Sequence, residues 1–577
     1  MSVSQAVAMR GWSSLSDMTG AEYLSRALDA YGVDAVFLVP TALSATLVAM
    51  ERETSIKRVV THGEKAAAYM ADGYARATGK PGVCMAQNIG AANLAAGLRD
   101  AYLGCSPVIA LTGGPYEYSR GRNYYQEIED FPLFKPVTRS SRQVHDATRL
   151  PDQLDQAFRD ATVGKPGPAH LELAGHTGDV IENQRLDAII PERLERRTPG
   201  LRIAPDPDAI SRAANALRNA RRPVIVSGGG VRTSGAAAEI VALAERLGAP
   251  LATSLNGKET VPSDHPLAIG IPGLYARPSA NQILLEADLV MYVGSQTGSQ
   301  LTLTWQVPPL QTAIVHLDIE PRELGRHYSN TVAVVADAQL GLRALLAELG
   351  DIDVVATADW RDRATQLAAR WRDDVEHLVH SDASPVRPER LTSELSGLLP
   401  DNAIVVADTG HAGMWTAGYL DLSSPGQGFL RAAGSLGWGL PAGIGAQIAR
   451  PDSQVVVFTG DGGFFYHLAE LETAARWEVP VTIVVNDNRS LNQEINPYTV
   501  AYGGSLTGRH HELWHFEDIN LATVAESMGV TGIRVTKASE LASAMQRASE
   551  INGPVLIDVV SDIDAVAPKG NAERAHA

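Results

Sequence analysis

Val455-Val456-Val457-Phe458-Thr459-Gly460-Asp461-Gly462-Gly463-Phe464 is the stretch that decides the fold. Its first four residues are apolar and mostly β-branched, the pattern of a strand buried on both faces in a parallel sheet. Glycines end the run, and Phe464, Leu468, Leu471 and Ala475 then recur at helical spacing, which predicts one helix. A second strand, residues 481–485, completes a strand-helix-strand unit and runs into Asn486-Asp487-Asn488. Loops at the carboxyl ends of parallel strands open onto one ligand-binding crevice, so Asp461 and Asn488 can reach a common point.

The same alternation extends in both directions. Upstream, Ala403-Ile-Val-Val-Ala407 is a further strand of this block, which spans residues 385–566. The Asp-, Arg- and Ala-rich stretch 357–388 reads as a polar helix and linker separating it from a second α/β block, residues 205–355, with strands at Val224-Ile-Val226, Leu289-Val-Met-Tyr-Val293 and Ile314-Val-His-Leu317. A third block, residues 17–190, carries Ala35-Val-Phe-Leu-Val39 and Val108-Ile-Ala-Leu111 between Ala-rich helical stretches. The expected fold is therefore α/β, with three doubly wound parallel sheets, followed by a mobile tail or lid over residues 567–577.

Composition narrows the function classes. With 49 basic against 66 acidic residues the net charge is -17, the wrong sign for a protein whose main partner is nucleic acid. No apolar run reaches the length of a membrane span, and the start of the chain carries no apolar targeting segment. The two cysteines, Cys84 and Cys105, sit in apolar surroundings without zinc-like spacing, which fits a reducing cytoplasm.

A carboxylate, an amide oxygen, a backbone carbonyl and diphosphate oxygens together form the hard-oxygen shell Mg²⁺ takes. Gly460, Gly462 and Gly463 would let backbone N–H groups and the helix start approach phosphate. Alone, Gly-Asp-Gly reads equally well as a turn with a capping Asp. The Asn loop one helix and one strand later changes this: the pair resembles the fingerprint of thiamine-diphosphate-dependent enzymes, and the likeness runs over nearly the whole chain as pyrimidine-binding, central and diphosphate-binding domains. The resemblance implies thiamine diphosphate held through Mg²⁺, with Asp461, Asn488 and the Ser490 carbonyl as metal ligands. Asp487 departs from the family's usual Asn. Thr409-Gly410-His411 matches a loop that contacts the diphosphate.

In the family a glutamate hydrogen-bonds the aminopyrimidine and so promotes loss of the thiazolium proton. The segment His62-Gly63-Glu64-Lys65 resembles the one that carries it and assigns that role to Glu64, which otherwise reads as a charge at a helix start. Because this glutamate serves a cofactor held by a second subunit, the resemblance implies a homo-oligomer, a dimer at least and commonly a tetramer. Leu436, in Gly434-Ser-Leu-Gly437, matches the residue that props the cofactor into its bent form.

Within the family the chain resembles the branch of acetolactate synthases, oxalyl-CoA decarboxylases and 2-hydroxyacyl-CoA lyases. Tyr125-Gln126-Glu127 matches a loop near the active site, which makes Gln126 a catalytic candidate, and Gly257-Lys258 with Asp264-His265-Pro266 matches the central domain. Two departures bear on substrate. Gln87-Asn88-Ile89-Gly90 stands where the synthases have Gly-Pro-Gly, and Glu494 and Pro497 stand where they have an apolar residue and a substrate-contacting Trp.

A carboxylate at Glu494 could take a proton from a substrate hydroxyl and would repel a 2-oxo acid. This is the pattern of bacterial 2-hydroxyacyl-CoA lyases, which cleave substrates such as 2-hydroxyisobutyryl-CoA to a ketone or aldehyde and formyl-CoA. An acetolactate-type carboligase or 2-oxo acid decarboxylase is the alternative; a non-catalytic paralogue conflicts with the joint presence of Glu64, Asp461 and Asn488. Gly228, Gly229, Gly230 and Asp318 of the central block could hold an adenine nucleotide, ADP or FAD. Lys569 and Arg574 of the tail could close over CoA phosphates.

Overall fold

In the computed structural model, residues 15–192 and 196–570 are described. They form three six-stranded sheets, each parallel throughout, and a small antiparallel pair, Ser16–Thr19 with Arg185–Ala188. Two compact units contain them: residues up to 200 with 444–450, and residues 201–443 with 451–577. The second and third sheets thus share a unit, where the sequence reads as three blocks.

The first sheet is ordered Lys57–Val60, Ala35–Leu38, Gly82–Ala86, Val108–Gly113, Ala169–Leu173, Ser140–Val144. Val83, Cys84, Met85, Ile109, Leu111 and Leu171 are wholly buried, as expected for strands covered on both faces. The helix Glu64–Thr78 is Ala-rich because it too is enclosed: every residue from Ala66 to Arg76 is buried. It lies so close to the helix Ala91–Leu103 that a Cβ on Gly97 would stand 2.6 Å from the Ala68 Cβ.

A buried charge cluster locks the two helices. Arg76 donates to both Asp72 oxygens at 2.8 and 2.7 Å and to Asp100 at 3.1 Å. Removing one member of such a cluster strands the others without solvent, at a cost of about 3–5 kcal/mol. The result is a rigid platform that carries Glu64 at the helix start.

In the second unit, the second sheet is ordered Ala268–Gly270, Leu251–Thr253, Pro223–Ser227, Leu289–Val293, Ala313–Asp318, Thr331–Val335. The third is ordered Gly428–Arg431, Ile404–Ala407, Val455–Gly460, Thr482–Asp487, Val555–Val560, Thr531–Val535. Pairing of Thr459 with Val485 and of Gly460 with Asn486 brings the two loops read from sequence side by side. Thr357 caps the polar helix Ala358–Val379 by accepting from the Trp360 N–H at 3.3 Å.

Three sequence expectations change. The single helix expected after Gly463 is two, Asp461–Phe465 and Glu470–Arg476, because the intervening turn directs the His467 ring nitrogen to the Gly437 carbonyl at 2.8 Å. Cys105 lies in a turn at φ 56 rather than inside an element, while Cys84 is in a buried strand. The start of the tail is held, not mobile: Ala567 is buried, and the Gly570 N–H donates to Leu274 O at 2.9 Å. Arg574 and the remaining tail lie outside the described residues.

Candidate active site

Asp461 opens its helix at the carboxyl end of Val455–Gly460 and is 2% exposed. Its Oδ2 accepts the Ser490 N–H at 2.8 Å, and the Ser490 hydroxyl donates to Asn488 Oδ1 at 3.0 Å. The three residues expected to hold a metal therefore sit in one hydrogen-bonded group. Burial, followed by the neighbouring Asp487 carboxylate, pushes Asp461 up to about 7. Asp487 is itself raised by burial and by Asp558, and its Oδ2 is buried without a partner.

Such a concentration of buried acceptors and negative charge is costly unless a cation joins it. The donor set fits a hard divalent ion: a carboxylate, an amide oxygen, and the Ser490 carbonyl, which accepts no hydrogen bond from a described residue. Among the described residues no group of three His, Cys, Asp or Glu gathers as a zinc-type site would require. The departure at Asp487 thus places a further buried carboxyl group beside Asp461 and leaves Asn488 in place.

A residue that sequence reasoning missed organises the surrounding loops. Asp408, at the end of Ile404–Ala407 and 1% exposed, accepts the backbone N–H groups of Thr409, Gly437 and Gly439 at 2.7, 3.1 and 3.1 Å, and the Thr459 hydroxyl at 3.3 Å. One carboxylate thereby ties the Thr409-Gly410-His411 loop, the Leu436 turn and the strand before Asp461. Burial raises it to about 6 despite those donors. Its only sequence signal is an acid closing an apolar strand just before Thr-Gly.

The glycines divide by role. A Cβ on Gly463 would meet Asp408 Oδ2 at 3.0 Å and one on Gly462 would meet Leu491 at 2.5 Å, whereas Gly460 has room and ordinary backbone angles. Gly410 needs its φ of 68. His411 is held neutral, lowered to about 4 by burial and then by Lys569, and its Nδ1 is buried without a partner. Leu436 is half-buried, unlike a core leucine, and so retains a free apolar surface.

Glu494 closes a short 3₁₀ turn, Asn492–Glu494, before the helix Ile495–Ala501. It is exposed, and no described residue hydrogen-bonds its carboxylate. Its neighbour Gln493 hydrogen-bonds Tyr275 and lies beside Gly410, where an added Cβ would stand 2.9 Å from Gln493 Oε1.

In the first unit, half-buried Glu64 accepts from Asn93 Nδ2 at 3.2 Å. Gly90 makes room for it: a Cβ there would stand 2.4 Å from Glu64 Oε1. Two residues earlier, Asn88 donates to the Gln126 carbonyl at 3.0 Å and holds Gln126 at a φ of 61. Glu64 and Gln126 are thus linked through the Asn88–Gly90 turn. Glu127, by contrast, spends its carboxylate on loop N–H groups of Gly121 and Tyr124.

In the second sheet, Gly228 and Gly230 are required by contact with the Gly294 backbone, where added Cβ atoms would stand 2.1 and 2.7 Å away, and Gly229 faces Asn256. Asp318 accepts the Glu320 N–H at 2.9 Å. Local packing therefore accounts for Gly228 and Gly230.

Known proteins bear out the general picture. Residues 18–133 match the N-terminal TPP binding domain of thiamine pyrophosphate enzymes, residues 210–345 their central domain, and residues 408–559 their C-terminal TPP binding domain. A probable acetolactate synthase large subunit of Methanocaldococcus jannaschii is 33% identical, over 94% of this chain and 92% of its own length. The acetolactate synthase large subunit of Corynebacterium glutamicum is 32% identical over 97% and 89%, and the isozyme 1 large subunit of Escherichia coli 29% over 95% and 94%. The buried Asp461 group, Glu64 and the three parallel sheets thus stand in a chain that belongs to the thiamine-pyrophosphate-dependent enzymes, in their acetolactate synthase branch.

Proposed function

We propose that the enzyme cleaves a 2-hydroxyacyl-CoA, for example 2-hydroxyisobutyryl-CoA, to a ketone or aldehyde and formyl-CoA, and in reverse joins them in an acyloin condensation. Thiamine diphosphate, when bound, would supply a carbon nucleophile for a carbonyl and a ring that delocalises the electron pair of the breaking bond. Asp461, Asn488 and the Ser490 carbonyl would hold Mg²⁺ against the diphosphate, with Thr409, Gly410 and His411 alongside. Glu64 would hold the aminopyrimidine of a cofactor carried by a second copy, in a cytoplasmic dimer or tetramer. The central-domain glycines and Asp318 would take an adenine nucleotide, ADP or FAD.

Glu494 carries the reading. Its carboxylate is exposed and unpartnered beside Gln493, which reaches the Gly410 loop. There it can accept the substrate hydroxyl proton as the carbon–carbon bond breaks and the hydroxyl carbon leaves as the ketone or aldehyde; the electron pair stays on the former thioester carbonyl carbon, which takes a proton and, on release from the cofactor with its C=O restored, is formyl-CoA. The same charge disfavours a substrate that brings its own carboxylate.

A second reading, an acetolactate-type carboligase, is favoured by the names of relatives 33% and 32% identical over nearly the whole chain. Glu494 and Pro497 are the residues that argue for the lyase over it.

Protein supplied with thiamine diphosphate and Mg²⁺ is offered 2-hydroxyisobutyryl-CoA and, separately, pyruvate. Acetone and formyl-CoA are expected from the first, and Glu494→Gln should slow cleavage about 10²- to 10⁴-fold with cofactor binding retained. Acetolactate from pyruvate without thioester cleavage would overturn the lyase reading in favour of the second.

A further inference from the structure

At the carboxyl edge of the first sheet, an aromatic cluster surrounds His176. The Tyr116 and Tyr124 rings lie 5.0 and 4.9 Å from the imidazole, centroid to centroid, and Tyr118 packs on both tyrosines. The Tyr116 hydroxyl is committed to Asp179 at 3.0 Å. His176 is 7% exposed, yet its Nε2 has no hydrogen-bond partner. An unmet buried polar atom costs about 1–3 kcal/mol, which a ligand can recover.

The cluster adjoins Glu64 through one turn. The Asn88 N–H donates to the His176 carbonyl at 2.8 Å, Asn88 Oδ1 is likewise buried without a partner, and Gly90 abuts Glu64. Burial lowers the imidazole's pKa, so it stays neutral and can donate to a carbonyl or accept from a hydroxyl. The cluster thus centres on one unmet nitrogen of a neutral imidazole with two tyrosine rings beside it.

We propose that His176 hydrogen-bonds the oxygen of the carbonyl partner, the molecule released on cleavage or joined on condensation, while Tyr116 and Tyr124 wall its apolar substituents. This rests on the enzyme being a thiamine-dependent maker or breaker of carbon–carbon bonds. It holds equally for a ketone paired with formyl-CoA and for an acceptor paired with pyruvate.

The test uses holoenzyme. His176→Phe keeps a buried ring without nitrogens, and His176→Gln returns a donor and an acceptor. In condensation of formyl-CoA with acetone, His176→Phe should raise the acetone KM about tenfold or more and His176→Gln should recover part of it, with formyl-CoA KM and thiamine diphosphate half-saturation unchanged. Should the protein fail to use CoA thioesters, the lyase reading falls and acetaldehyde is titrated as acceptor with pyruvate as donor. In ¹⁵N-histidine-labelled protein, acetone or acetaldehyde should shift one imidazole resonance that is absent from His176→Phe, a readout that needs no turnover. An unmoved resonance, or a cofactor affinity that falls in step with the acceptor KM, overturns the proposal.

Discussion

The carboxyl edges of the first and third sheets share a topology and differ in chemistry. At the third, Asp408, Asp461 and Asp487 are buried at 1%, 2% and 3% exposure; at the first, Asn88 and His176 are buried beside the turn that abuts Glu64, the carboxylates of Asp130 and Glu172 are buried as well, and Glu64 itself is half-buried. Both edges leave polar atoms without partners, Asp487 Oδ2 and His411 Nδ1 on one, Asn88 Oδ1 and His176 Nε2 on the other. Buried carboxylates grouped with an amide oxygen suit a hard cation, whereas a neutral imidazole with an unmet nitrogen can donate to an uncharged carbonyl. On the proposed function, the third sheet's edge is the anchoring edge and the first sheet's the reacting edge.

Breaking the anchoring edge should have the largest effect. Asp461→Ala removes the carboxylate of the metal group, so activity should fall on the order of 10³-fold and thiamine diphosphate half-saturation should rise with it, as followed by cofactor titration. Retained cofactor affinity would move the metal elsewhere.

On the reacting edge, Gly90→Ala sharpens the contrast. The new Cβ would lie 2.4 Å from Glu64 Oε1, so the carboxylate must shift. Turnover should drop about 10²-fold, the scale of an ångström misplacement, with the thermal midpoint little changed. An unaltered rate would mean that Glu64 position is not critical.

The smallest effect is on stability, and its sign should differ between the sheets. His170, in the first sheet, is buried against Phe134 and lowered to about 3. The unfolded chain takes up that proton first, so stability should fall as pH drops from about 6.5 toward 3, by about 1.4 kcal/mol per pH unit. Asp408, raised to about 6, keeps a proton that the unfolded chain has already lost, so its contribution should fall as pH rises from about 4 to 6. Denaturation midpoints against pH, with His170→Gln flattening only the acid limb, would check this.

The side-by-side placement of Asp461 and Asn488 was legible because its information is local. Strand 455–460, its turn and the next strand are consecutive in the chain, and neighbouring parallel strands bring their end loops together whatever else the protein does. Asp408 escaped notice because it acts across 29 to 55 residues, on Gly437, Gly439, Thr459 and Gly463, and nothing in its own segment marks those partners. The His176 cluster is more distant still: it needs Ala169–Leu173 to lie beside Val108–Gly113, with Ser140–Val144 displaced to the edge.

The sequence by itself determined most of the elements, because apolar runs of fixed period encode them over short spans, and its resemblance to thiamine-diphosphate enzymes gave the cofactor class and nominated Asp461, Asn488, Ser490 and Glu64. Only the tertiary structure decided which groups became buried without partners, that Asp487 lies buried beside Asp461, that Gly90 makes space for Glu64, and that Asn88 joins Gln126 to His176. Burial and strand order are properties of the packed chain, and they set the charge state and the unmet hydrogen bonds on which recognition depends.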